Sequence, residues 1–295
     1  MYWKSTLSAT LLSTLAASAQ LPNFNMPAMD AARATFHQTS DLDLDNGAGS
    51  LGITQFELRS ALSRPITLAN GWLVVPLAEY TLTHLDFSNR PAGFPMHDED
   101  LHSLGLSAFA VSMSDSSPWI YGAWARAELA SDFKSINGDD FTFDVAAGGG
   151  YRFNDHFILG VGAAVCNLNG NLTCYPGIGF DWIVNDDVRI GLYGPAFIAS
   201  YTYSRDWSFS FRTKACGGIW NVSDNAAGSR SIDLTSYQLG VFADRRLTDK
   251  LWLSFGVGMV IANNIKYTTP HGDTLFERDA DAGLSGQLGL RLKAW

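Results

Sequence analysis

Between Phe141 and Arg152, and again between Leu251 and Ile261, the two faces of an extended chain carry different residue types. Phe141, Phe143, Val145, Ala147 and Tyr151 fall on one face; Thr142, Asp144, Ala146, Gly148, Gly150 and Arg152 fall on the other. Leu251, Leu253, Phe255, Val257, Met259 and Ile261 stand opposite Ser254, Gly256 and Gly258, and Trp207, Phe209 and Phe211 stand opposite Ser208, Ser210 and Arg212. Successive side chains of a strand point to opposite sides, so this is the signature of β-structure, and no comparable helical period competes with it. In water the bulky face would have to fill an interior and leave a glycine-rich coat outside. Only 17% of residues are charged, against about 25% in soluble domains, and 28 are glycine. In lipid the arrangement works: apolar side chains meet acyl chains, polar ones line a wet lumen, and closure satisfies the backbone. The expected fold is all-β, a transmembrane antiparallel up-and-down β-barrel. A soluble sandwich is the competing reading.

One short polar turn recurs, in SMSDSSPWIYG (112–122), YRFNDHFILGVG (151–162), WIVNDDVRIGL (182–192), YTYSRDWSFSF (201–211) and RRLTDKLWLSF (245–255). Outer-membrane barrels place short turns on the periplasmic side, so all five belong at one end, together with RPITLANG (64–71). Strands are then expected near 30–40, 50–63, 71–87, 101–113, 118–130, 140–152, 156–166, 172–184, 187–193, 196–203, 206–216, 231–246, 250–265 and 280–294. That is fourteen, or twelve if 187–203 is one bent strand, because a spanning strand needs about 9–11 residues. Acidic outer connections follow: TSDLDLDNG, SNRPAGFPMHDED, SDFKSINGDD, GGIWNVSDNAAGSRS and TTPHGDTLFERDAD. Trp119, Tyr151, Phe157, Trp182, Tyr203, Trp207 and Trp252 lie beside the turns and are expected to form an interfacial girdle.

The chain begins as a secretory signal peptide does: Lys4, an apolar stretch, then Ala17-Ser18-Ala19. The expected organisation is a signal peptide at 1–19, a periplasmic segment at 20–29 and an outer-membrane barrel at 30–295 of a Gram-negative cell. The closing GLSGQLGLRLKAW alternates Leu284, Leu288, Leu290 and Leu292, in the manner of the last-strand signal read by the barrel-assembly machinery, although Trp295 falls out of phase. Outer-membrane lipid and lipopolysaccharide are the other expected partners. A net charge of -9 without a Lys/Arg run argues against nucleic acid.

The polar face supplies the residues expected in the lumen: Glu57, Arg59, Arg126, Glu128, Asp144, Arg152, Arg189, Arg212, Lys214, Asp244, Arg291 and Lys293. Basic groups outnumber acidic ones there, so a passive pore for small solutes with mild anion preference is the leading reading. Mixed charges also pair and plug a lumen, which would make a structural or anchoring barrel. A lipid-modifying hydrolase needs a Ser-His unit; His102-Ser103 is the nearest approach, but adjacent strand residues face opposite ways. No cofactor and no metal is expected. DLDLDNG (41–47) lacks both the glycine and the glutamate of a calcium loop. Cys166 and Cys174, set opposite each other by a hairpin centred on Gly170, are a possible disulfide in an oxidising compartment; two unbonded apolar residues are the alternative.

The segments FELRSALSRPI (56–66), LHSLGLSAF (101–109), ELASDFKSINGDDFTF (128–143), YPGIGFDW (175–182), GPAFIASYTYSRDW (194–207), LGVFADRRLTDKLWLSFGVG (239–258) and LGLRLKAW (288–295), in that order, resemble a family of functionally uncharacterised outer-membrane β-barrel proteins. The resemblance covers nearly the whole mature chain. It implies fold and location and carries no catalytic residues.

Overall fold

The structure, a computed structural model, describes residues 30–68, 71–112, 117–168, 171–224, 228–269 and 273–293. The expected signal peptide, the 20–29 segment and Trp295 lie outside them. The wall strands are β1 (Asp30–Thr39), β2 (Ser50–Ala61), β3 (Trp72–Ser88), β4 (Glu99–Ser112), β5 (Trp119–Ser131), β6 (Phe141–Asn154) and β7 (Phe157–Leu168). They continue as β8 (Asn171–Ile183), β9 (Val188–Tyr193), β10 (Ala196–Ser204), β11 (Trp207–Asp224), β12 (Gly228–Arg246), β13 (Leu251–Thr268) and β14 (Gly283–Lys293). Each pairs antiparallel with its chain neighbours, and β14 pairs back onto β1 with Ala34 opposite Leu290. The result is a closed 14-strand up-and-down barrel. Short pieces at Leu42–Asp43, Ile66–Thr67 and Thr274–Ala280 attach to it. β9 and β10 are separate strands joined by Gly194-Pro195, with Gly194 at φ 61, which sets aside the count of twelve.

The recurring turns share a chemical cause. In each, a polar side chain accepts a hydrogen bond from an amide two residues on: Ser117 from Trp119 at 3.2 Å, Asn154 from His156 at 2.8 Å, Asn185 from Asp187 at 3.0 Å, Ser204 from Asp206 at 3.3 Å and Thr248 from Lys250 at 3.4 Å. Such local acceptors substitute for backbone turn bonds. All lie at one end of the barrel, the turn end, with the starts of β1 and the finish of β14; the opposite end is the loop end.

The bulky face points outward. Phe143 is 63% exposed, Val161 67%, Val257 66% and Leu284 67%, which in water would be a continuous apolar coat. Near the turn end aromatic rings touch around the outside: Trp119 and Tyr151 at 5.1 Å between centroids, Tyr151 and Phe153 at 5.0 Å, Trp207 and Phe255 at 6.3 Å. Trp252 is a correction to the expected girdle. It shares its face with Ser254 and turns into the barrel, where the Lys293 ammonium lies 4.3 Å from its ring centroid.

The expected disulfide is also corrected. Thr173, and not Cys174, stands opposite Cys166, because Asn171 pairs with Leu168 across a two-residue connection. One residue of register exchanges the faces, so Cys166 is buried inside, Cys174 is exposed outside, and none of the three cysteines is in a disulfide.

The loop end departs most from expectation. Within GGIWNVSDNAAGSRS, residues 217–224 and 228–231 extend the paired ladder of β11 and β12, and this part of it folds over the mouth. Gly217, at φ 113, permits the bend; a Cβ there would lie 1.8 Å from the Leu234 carbonyl oxygen. The hairpin reaches the far wall, where Asn221 bridges to Ser131 of β5, the Asp132 amide donates to the Asn221 carbonyl at 3.1 Å, and the Ser223 amide donates to the Asp132 carboxylate at 2.9 Å. Trp220, Val222, Ile232 and Leu234 point down from it onto Leu51, Leu85 and Leu101 of the inner wall, and Leu42, Met96 and Phe276 come in from three other connections. Leu42, Leu51, Leu85, Leu101, Ile232 and Ile265 are at most 1% exposed. Each such side chain is worth about 1.5–3 kcal/mol, so the loops make a dry seal in place of a solvated fringe.

Beside the seal the wall is low. β9 and β10 end at Gly194-Pro195, so on that side the part of β8 before Gly179 and the part of β11 after Thr213 have, among the described residues, no ladder partner apart from the bridge at Asn221. The Ile178 carbonyl accepts from Gly194 at 3.1 Å. Backbone groups two residues apart point the same way, so Pro176, which has no N–H, turns its nitrogen to the free edge. Proline at an edge blocks further pairing.

Candidate functional site

Alternation that sends leucine and phenylalanine outward sends charge inward, and in a closed wall those charges meet. Arg59 of β2 stands opposite Glu79 of β3, Nε to Oε1 3.2 Å. Glu79 also takes Arg126 of β5 at 3.7 Å, which in turn binds Glu128. Between β3 and β5 lies β4, and at that level β4 carries Gly105, whose missing Cβ would sit 3.1 Å from Arg126 Nε. The glycine is the gap through which the guanidinium crosses a strand.

A second group gathers Arg212 of β11, Asp244 of β12 and Arg291 of β14. Asp244 binds Arg212 and lies 3.3 Å from Arg291, and Arg291 holds Asp30 of β1 at 3.0 Å. Asp181 of β8 accepts from Arg189 Nε at 2.7 Å. Across the lumen itself, Lys214 of β11 lies 3.7 Å from Glu57 of β2. Glu57, Lys214 and Arg59 keep side-chain exposures of 34%, 32% and 28%, so solvent-sized space remains at their level, beneath the seal. Asp144, opposite Arg126, and Arg152 also face inward, as does Lys293 over Trp252. All the sequence-named lumen residues therefore lie on the inner face, and the structure links most of them in pairs.

Further inner-face groups not named from the sequence include Asp30, Arg33, His37, Glu79 and Asp181. His37 Nε2 lies 3.0 Å from Gln238 Nε2, with two wall strands between them. Glu79 was hidden because Val75 and Leu77, on its own face, are as apolar as the outer residues of β3.

His102 and Ser103 point to opposite faces. His102 turns outward, its Nδ1 2.8 Å from the Tyr80 hydroxyl and its ring stacked on Phe133 at 4.8 Å; Ser103 turns inward and accepts from Trp220 Nε1 at 2.9 Å. The pair makes no nucleophile-base unit. In DLDLDNG the aspartates are exposed while Leu42 and Leu44 enter the seal, and among the described residues no cluster has the makings of a metal site.

No curated protein sequence matches the chain significantly. Among solved structures it is similar to an outer membrane channel from Pseudomonas putida F1 (13% identity, 93% of this chain and 99% of that one, TM-score 0.48). It is also similar to a FadL homologue from Pseudomonas aeruginosa (11%, 95% and 96%, TM-score 0.45). A third is outer membrane phospholipase A from Escherichia coli (13%, 97% and 98%, TM-score 0.37). The family profile described as "Domain of unknown function (DUF6268)" matches residues 17–293, nearly the whole sequence, and the chain belongs to that family.

Proposed function

We propose that this protein is an outer-membrane channel for small solutes, with its turn end in the periplasm and its loop end shut by the 217–234 hairpin. The apolar outer wall and the short turns at one end support the placement. The observation that carries the channel reading is the partly exposed charge at Glu57, Arg59 and Lys214: the lumen is wet between the turn end and the seal and dry at the loop end. Transport then requires the hairpin to leave the mouth. The inner face holds more basic than acidic groups, so passage favours anions mildly.

The seal itself favours a second reading, a structural barrel that conducts nothing. Planar-bilayer recordings of the full chain and of a variant with 219–232 replaced by a short turn separate the two. Conductance steps in the shortened variant, with reversal potentials on the anion side, support the channel. No steps from either protein, both correctly folded by heat-modifiable gel shift, leave the structural barrel.

A further inference from the structure

Three arginines stand side by side on the inner wall. In the ladder that joins β14, β1 and β2, Arg291 is opposite Arg33, and Arg33 is opposite Arg59. All three side chains belong to the inner face, two or three residues from the turn-end limits of their strands. Like charges directly opposite one another on neighbouring strands are unfavourable, so the row needs compensation. Its flanks have it: Arg291 binds Asp30 and Asp244, and Arg59 binds Glu79. Its centre has no direct ion pair. Arg33 has no acidic partner within ion-pair distance among the described residues and donates only to the Thr35 hydroxyl at 3.0 Å. Glu57, one row along on β2, is engaged from across the lumen by Lys214. Arg59 Nη2 is buried without a hydrogen-bond partner.

We infer that Arg33, Arg59 and Arg291 form a binding site, open toward the turn end, for a small anion with several acceptor oxygens, a carboxylate or a phosphate. Guanidinium groups match the planar oxygen pairs of such anions and form strong charge-assisted bonds with them. Arg33 supplies the uncommitted charge; Arg59 supplies its unpartnered Nη2; Arg291 is held in place by Asp30 and Asp244. The inference rests on the lumen being a solute compartment, and it names the class of solute.

The test is calorimetric titration of the refolded full chain at low ionic strength, with citrate in one arm and inorganic phosphate in the other. One saturable site is expected, and the tighter arm identifies the carboxylate or phosphate class. Arg33→Gln is expected to weaken binding about tenfold or more, Arg33→Lys by less, and Arg64→Gln, exposed in a turn, not at all. Removing the central charge also relieves repulsion, so Arg33→Gln is expected to raise the urea midpoint in anion-free buffer and to lose the further rise that the anion gives wild type. Absence of saturable binding to wild type, or equal losses in Arg33→Gln and Arg64→Gln, overturns the site. Binding without conductance by the shortened variant removes the channel and keeps the site; conductance without binding does the reverse.

Discussion

Trp220 on β11 donates its indole N–H to Ser103 on β4, 2.9 Å away on the diametrically opposite wall. A hydrogen bond across the mouth of a closed barrel is possible only because the chain between them folds inward. Trp220 is 2% exposed, so Trp220→Ala removes a large apolar anchor as well as the bond, a loss of about 3–5 kcal/mol. The expected result in planar bilayers is more frequent opening than in wild type. Equal opening frequencies would mean that other inward segments close the mouth unaided.

Gly217 is expected to be as sensitive as the tryptophan. Its φ of 113 is one that L side chains rarely adopt, and an added Cβ would meet the Leu234 carbonyl at 1.8 Å. Gly217→Ala is expected to cost more than about 1–3 kcal/mol of local strain and to release the hairpin. Limited proteolysis of the loop end would show new cleavage between 217 and 234, with the wall strands intact.

Gly105 and Gly286 make a matched pair. A side chain at Gly105 enters the space Arg126 uses to reach Glu79, whereas a Cβ at Gly286 meets nothing within 4 Å. Gly105→Leu is expected to destabilise the barrel by about 1–3 kcal/mol through overpacking, and Gly286→Ala to change little. Urea titrations followed by the heat-modifiable gel shift measure both; comparable shifts in the two would show that the crossing guanidinium is not confined by the glycine.

The cysteines offer a chemical check on register. In folded protein in detergent, Cys174 is expected to react with a small maleimide, and Cys166, 2% exposed, only after unfolding. Mass spectrometry after alkylation reads both. A Cys166–Cys174 disulfide would require β8 to slip by one residue against β7.

Depth-dependent quenching tests the girdle. Single-tryptophan variants retaining Trp119 or Trp207 are expected to be quenched by lipids brominated near the headgroup, and one retaining Trp252 is not, because that ring faces Lys293 inside. Equal quenching of Trp252 would contradict its inward placement.

The number of strands and the phase of most of them were legible because lipid outside and water inside impose opposite chemistry on alternate residues. Turns were legible because Ser, Asn or Thr must supply the closing acceptor. The seal was not. Trp220 and Val222, like Ile232 and Leu234, alternate as in any strand, but Asn221, Ser223, Ser231 and Asp233 between them have the composition of an exposed loop. The arginine row was hidden for a different reason: Arg291 comes beside Arg33 only through the ladder that closes the barrel between its first and last strands. Cys166 was misplaced by one residue of turn length, which no local pattern specifies.

The contact between Asp30 and Arg291 spans 261 residues of chain. Until nearly all of the polypeptide is available, β1 and β14 each present an unpaired edge, and the entropy of bringing them together must be met by the last ladder alone. Folding of this wall is therefore late and all-or-none at its seam. A chain cut short before β14 would not be a smaller barrel but an open sheet with two adhesive edges, prone to self-association.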